Sequence, residues 1–184
     1  MTDTAFGPTA LATPANYVTI ARLLISPVLL VSITEAGASW WVFAAWTLLC
    51  LTDGFDGYLA RRHGTTRSGA FLDPLADKVL VLGAMAALVA IGRFALVPVV
   101  LIAVREVAIS MYRSYWARRG LTIPARTSAK LKTLTQQLAV GFALIPLASN
   151  PAWLADGLLW AAVVLTVGTG LHYLYDGSRA AEVG

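Results

Sequence analysis

Charge is scarce in this chain. Aspartate, glutamate, lysine and arginine together make up 13% of its 184 residues, about half the share of a soluble domain, which excludes an ordinary hydrated globule. Cysteine is almost absent: Cys50 stands alone, so no disulfide can form within the chain, and it reads as a small packing residue rather than a reactive thiol. His63 and His172 are the only histidines and share no ligand pattern with each other or with Cys50, so both read as structural or interfacial. The first ten residues hold no lysine or arginine, and no small-residue cleavage pattern follows the first apolar run. The signature of a removable signal peptide is therefore missing, and that run is expected to stay in the mature protein. Repeats, low-complexity tracts and long linkers are missing too, so residues 1–184 are expected to form a single domain.

What the chain does have is apolar length. Hydrophobic residues are 58% of the total and the mean hydropathy is +0.69. Six apolar segments run from about Tyr17 to Thr34, Trp40 to Arg61, Gly69 to Ile91, Ala95 to Trp116, Ala129 to Leu147 and Trp153 to Tyr175. Each is near the roughly 20 residues that a helix needs to cross the hydrocarbon core. The expected fold is all-α, a polytopic bundle of six transmembrane helices, with an N-terminal interfacial helix over Thr9–Asn16. Small residues such as Gly83, Ala84, Ala86 and Ala87 are expected to pack helices closely.

Basic residues fall on one side of such a bundle. Arg61, Arg62 and Arg67 lie between the second and third segments, and Arg113, Arg118, Arg119, Arg126, Lys130 and Lys132 flank the connection between the fourth and fifth, whereas the opposite connections hold little beyond Arg93. The positive-inside rule then puts the basic loops and both termini in the cytoplasm, with Trp40, Trp41 and Trp153 at the other interface. The formal net charge of +4 suits anionic headgroups and phosphorylated substrates, and nucleic acid is a poor partner for so apolar a chain.

Against this background four aspartates stand out: Asp53 and Asp56 at i, i+3, and Asp73 and Asp77 at i, i+4. Each pair falls on one face of its helix. One carboxylate at the centre of a membrane helix costs about 2.5–3.5 kcal/mol, so four uncompensated ones would cost on the order of 10 kcal/mol. A divalent metal is the usual remedy. An all-carboxylate donor set selects Mg²⁺, Mn²⁺ or Ca²⁺ over zinc or copper. Gly57 and Ala60 carry almost no side chain, so a ligand can lie against the backbone there, and Arg61 adds a planar donor fork suited to phosphate. Asp73, just before Pro74, also suits a helix N-cap with proline in the first turn.

The pattern Asp53-x-x-Asp56-Gly57-x-x-Ala60-Arg61, seven residues, Gly69-x-x-x-Asp73-x-x-x-Asp77 resembles the signature of the CDP-alcohol phosphatidyltransferase family, with eight defined positions matched over 25 residues. Looser matches, Asn16-x-x-Thr19-x-x-Arg22 and Arg105-Glu106-x-x-x-Ser110, are most similar to the phosphatidylglycerophosphate synthase branch. The resemblance implies two divalent ions, Mg²⁺ or Mn²⁺, held by Asp53, Asp56, Asp73 and Asp77, with Asp77 as general base. It implies a cytidine pocket at Gly57, Ala60 and Gly69, to which neighbouring Thr52 is added, and phosphate contact at Arg61. It further implies CDP-diacylglycerol as donor, glycerol 3-phosphate as acceptor and a homodimer in the cell membrane.

Arg105, Arg113, Arg126, Lys130 and Lys132 are candidates for the acceptor's phosphate. Arg105 lies deep enough in its segment to need a partner, either Glu106 or a bound phosphate. Arg22 reads as a structural partner for a motif aspartate or a headgroup. Two other acceptors stay open within the same chemistry, inositol phosphate and phosphatidylglycerol. A divalent-cation transporter is the reading from another class; it fits poorly, because its acids would be spread through the bilayer depth rather than bunched beside Arg61.

Overall fold

The computed structural model describes the backbone of residues 14–63, 67–118, 127–147 and 152–182, and side chains over 16–52, 74–112, 114–115, 131–147 and 152–170. Among the described residues every regular element is helical: α1 (Pro14–Ala36), α2 (Trp40–His63), α3 (Arg67–Ala90), α4 (Leu96–Arg118), α5 (Thr127–Leu144) and α6 (Ala152–Glu182). These are the six apolar segments, each extended or trimmed by a few residues. Most of the proposed interfacial helix lies outside the described residues; its last part, from Pro14, is the first turn of α1 itself.

Local chemistry explains the ends. Pro14 opens α1 where its missing N–H removes no helical bond. Gly37 closes α1 in the left-handed conformation at φ 60°, and its N–H reaches the Ile33 carbonyl at 3.0 Å. Ser39 starts the next helix, its carbonyl accepting from the Phe43 N–H at 2.9 Å. Gly92, at φ 72°, follows the end of α3 in the same way. Asp73 is not an N-cap: α3 is already running at Arg67, so Pro74 lies in its interior and leaves the Ala70 carbonyl without its usual donor.

The chain's contacts cluster into two compact units, Met1–Ile91 with Leu144–Ala148, and Gly92–Ala143 with Ser149–Gly184. In the first, α1 packs against both α2 and α3. Its core includes Leu29, Ile33, Val42, Trp46, Leu80, Met85 and Leu88. Gly83 lets α3 come close to α1: a Cβ there would sit 2.6 Å from Leu30 Cδ1. Ala84 and Ala87 are buried with it, but Ala86 is exposed, because two residues along a helix is a turn of about 200° and carries it to the outer face. In the second unit α4 packs against α6 around Val99, Ile102, Ile109, Leu159 and Ala162.

In both units polar side chains are buried within the apolar core while large apolar ones face outward. On α1 Asn16, Thr19, Arg22 and Ser26 are buried while Leu24, Ile25 and Val28 are exposed. On α4 Glu106 is buried between exposed Val104 and Val107, and on α5 Lys132 and Gln136 are buried while Leu131, Leu134 and Leu138 are exposed. Hydroxyls turn inward to their own helices: Ser26, Thr47, Ser110 and Thr135 each donate to the carbonyl four residues back at 2.6–2.9 Å. Among the described residues, two stretches are long and apolar enough to cross a membrane, Asn16–Ala36 and Ala152–Gly170.

Candidate functional site

The acidic motif lies in the first unit. Asp53 and Asp56 are three residues apart on α2, and Asp73 and Asp77 four apart on α3, so the helical register places each pair on one face. Of these, only the side chain of Asp77 is among those described. It is half-buried, between buried Ala76 and, one turn on, Leu80. The side chains of Asp53, Asp56, Gly57, Ala60, Arg61, Gly69 and Asp73 lie outside the described residues, and among the described ones no three acids, histidines or cysteines gather around a common point. Thr52 is half-buried and donates to the Leu49 carbonyl at 2.7 Å, so its oxygen lone pairs remain for a ligand. Arg22 is 1% exposed, the largest of the fully buried side chains. That enclosure suits an internal partner and not a lipid headgroup.

The basic residues are divided by the limits of description. Arg113, Arg126 and Lys130 lie outside the described side chains; Arg105 and Lys132 lie within, in the second unit. Arg105 Nη1 donates to Glu106 Oε1 at 3.2 Å, and Lys132 Nζ on α5 donates to the same oxygen. The expected partner of Arg105 is therefore in place, and it also holds a lysine that sequence reasoning did not attach to it. All three side chains are about nine-tenths buried. A buried cation so held loses its freedom, which is what recognition of a phosphate needs.

Sequence reasoning missed the far side of this cluster. Arg105 Nη2 donates to Thr169 Oγ1 on α6 at 2.8 Å. One turn further along α5, Gln136 Nε2 donates to Thr166 Oγ1 at 3.0 Å, both side chains being buried. The signal available in the sequence was the pairing of Lys132 with Gln136 at i, i+4 and of Thr166 with Thr169 at i, i+3, polar faces on otherwise apolar helices.

Known proteins agree with these features. A family model described as CDP-alcohol phosphatidyltransferase matches residues 12–168, which takes in most of both units. A probable phosphatidylglycerophosphate synthase of Mycobacterium tuberculosis is 38% identical over 177 residues, covering 91% of this chain and 83% of its own. A CDP-diacylglycerol–glycerol-3-phosphate 3-phosphatidyltransferase of Rickettsia bellii is 34% identical over 165 residues, covering 86% and 91%. One of the same name from Shigella flexneri is 34% identical over 167 residues, with the same coverage. With the motif on α2 and α3, the buried cations on α4 and α5, and a match across nearly the whole length, the chain belongs to the CDP-alcohol phosphatidyltransferase family.

Proposed function

We propose that the protein transfers the phosphatidyl group of CDP-diacylglycerol to sn-glycerol 3-phosphate, forming phosphatidylglycerophosphate and CMP. The observation that carries the proposal is the register of the four aspartates, i, i+3 on α2 and i, i+4 on α3, within a chain that matches the family over residues 12–168. The choice of acceptor is supported by the names of the relatives and by the anchored Arg105.

The donor set fits a hard divalent cation: four carboxylates, no imidazole or thiolate among them, on two faces of defined register. Asp53, Asp56, Asp73 and Asp77 would hold Mg²⁺ or Mn²⁺, two ions in all. Bound there, the ions would neutralise the diphosphate and the departing CMP. The protein's own groups do the rest. Gly57, Ala60, Gly69 and Thr52 receive the cytidine, Arg61 contacts phosphate, and Asp77 takes the proton from the acceptor hydroxyl. That hydroxyl attacks the phosphorus bearing the diacylglycerol, and the bond from this phosphorus to the CMP oxygen breaks. Arg105, Arg113, Arg126, Lys130 and Lys132 hold the acceptor's phosphate.

The setting we infer is a six-span domain over residues 1–184 in the cell membrane, its active site open to the cytoplasm, assembled as a homodimer. Support for the membrane comes from the large apolar side chains left outside, Val104, Val107 and Leu134 among them, on helices that bury Glu106 and Gln136, an exposure that water would penalise and lipid does not. The basic connections support the orientation. Mass measurement of the detergent-purified protein after lipid removal tests the dimer, and a single-chain mass would remove it.

The test of function is incubation of the purified protein with CDP-diacylglycerol, Mg²⁺ or Mn²⁺, and each acceptor in turn: glycerol 3-phosphate, inositol phosphate, phosphatidylglycerol and free glycerol. CMP release and a phosphatidylglycerophosphate product with the first alone are expected. Robust transfer to inositol phosphate and none to glycerol 3-phosphate would reassign the acceptor.

A further inference from the structure

Thr169 and Gly170 are not among the residues assigned so far, yet both meet Arg105. The hydroxyl of Thr169 has one proton, and it is directed back into α6, where the Leu165 and Thr166 carbonyls lie 2.7 and 3.0 Å from Oγ1. With its proton committed, the oxygen can only accept, and it accepts from Arg105 Nη2 at 2.8 Å. Glu106 takes the other terminal nitrogen, Nη1, at 3.2 Å. A planar guanidinium gripped at both terminal nitrogens has its plane and its direction set.

Gly170 supplies the room. A Cβ built there would lie 2.9 Å from Arg105 Nε, closer than side-chain atoms normally approach, and 3.4 Å from Cγ, so the arginine crosses α6 where that helix has no side chain. The nearby Gly168 offers a contrast, because a Cβ there would meet nothing within 4 Å. The close approach belongs to one glycine and not to a glycine-rich stretch as such.

We propose that Thr169 is a positioning residue for the acceptor's phosphate and acts through Arg105, with Gly170 as the bare surface that the arginine stem crosses up to Nε. The inference rests on the reading of Arg105 as a phosphate-binding group. Through Thr169, α6 aims a charge carried by α4, and the orientation exists before any acceptor arrives. A hydroxyl is required at 169 and the absence of a side chain at 170.

The experiment measures the two KM values and kcat for the full chain in lipid–detergent micelles with Thr169→Val, Thr169→Ser, Gly170→Ala, Gly168→Ala and Arg105→Gln. Thr169→Val keeps the shape and removes the acceptor oxygen; it is expected to raise KM for glycerol 3-phosphate on the order of 10-fold while KM for CDP-diacylglycerol stays put. Thr169→Ser restores the wild-type value. Gly170→Ala raises the same KM, and Gly168→Ala does not. If Arg105→Gln raises the acceptor KM but Thr169→Val and Gly170→Ala leave it alone, positioning is wrong and the role of Arg105 stands. A serine variant as impaired as the valine variant also overturns positioning, since the effect would then be steric. If Arg105→Gln itself leaves the acceptor KM unchanged, the reading of Arg105 fails and the proposal fails with it.

Discussion

Arg105 on α4 and Lys132 on α5 donate to one and the same oxygen, Oε1 of Glu106. Two cations on one buried carboxylate make Glu106 a joint between helices, and removing its charge strands both partners.

Glu106→Gln, nearly isosteric, is expected to lower stability by about 3 kcal/mol, read from thermal unfolding in detergent. Combining it with Lys132→Met should be less damaging than the two single changes added together, since each removes the same contact. Additive losses would show that Lys132 does not depend on Glu106.

Chelation of divalent ions should abolish transfer, and Mg²⁺ or Mn²⁺ should restore it where Zn²⁺ alone does not, because the proposed donor set is carboxylate oxygen. Asp53→Asn, Asp56→Asn and Asp73→Asn should each weaken metal binding measured directly by calorimetry as well as slow the reaction. Full turnover in chelator would remove the metal from the mechanism.

If Asp77 is the base, Asp77→Asn separates proton removal from substrate binding. Loss of a general base lowers kcat by about 10²–10⁴-fold, while CDP-diacylglycerol should still bind in the presence of metal. A variant with near-normal kcat would take the role of base away from Asp77.

Val104 is 63% exposed although it stands two residues from buried Glu106. If lipid covers that face, Val104→Arg should cost about 2.5–3.5 kcal/mol and reduce the protein recovered in the membrane fraction. A surface facing water would accept the arginine, so unchanged recovery and unchanged thermal stability would count against the membrane reading.

Gly83 and Leu30 provide a test of packing. Gly83→Leu should destabilise the contact of α1 with α3 by about 1–3 kcal/mol, and Leu30→Ala should recover part of it, because a Cβ at 83 would lie only 2.6 Å from Leu30 Cδ1. No recovery in unfolding measurements would place the strain elsewhere.

The helices were largely legible in the sequence because turn chemistry and apolar length agree; Gly37 and Pro14 end and begin α1 within three residues of where hydropathy alone put its limits. The exceptions have physical causes. Apolar length ends the last segment near Tyr175, but α6 runs to Glu182, since the final Arg-Ala-Ala-Glu favours helix whether or not it is apolar. Among the described residues, α1 and α6 contain stretches long and apolar enough to cross a membrane. Ala86 was misjudged from composition where register decides. The four aspartates were readable because charge in an apolar run is conspicuous. The contact of Thr169 and Gly170 with Arg105 was not, since the i, i+3 spacing of Thr166 and Thr169 marks a polar face without naming its partner, and Gly168 and Gly170 look alike in sequence although only Gly170 has Arg105 against it.

The two polar links from α5, Lys132 to Glu106 and Gln136 to Thr166, are one helical turn apart. A rod pinned at one point can swivel about it, whereas a rod pinned at two points about 6 Å apart can neither swivel nor slide by a turn without releasing both pins together. α5 is therefore held in register against α4 and α6, and Lys132, the cation it brings to Glu106, behaves as part of a fixed jig and not a closing hand. On the proposed reading of Arg105 and Lys132 as phosphate-binding groups, an acceptor should bind at the rate at which it arrives, with no slow rearrangement of these helices to wait for.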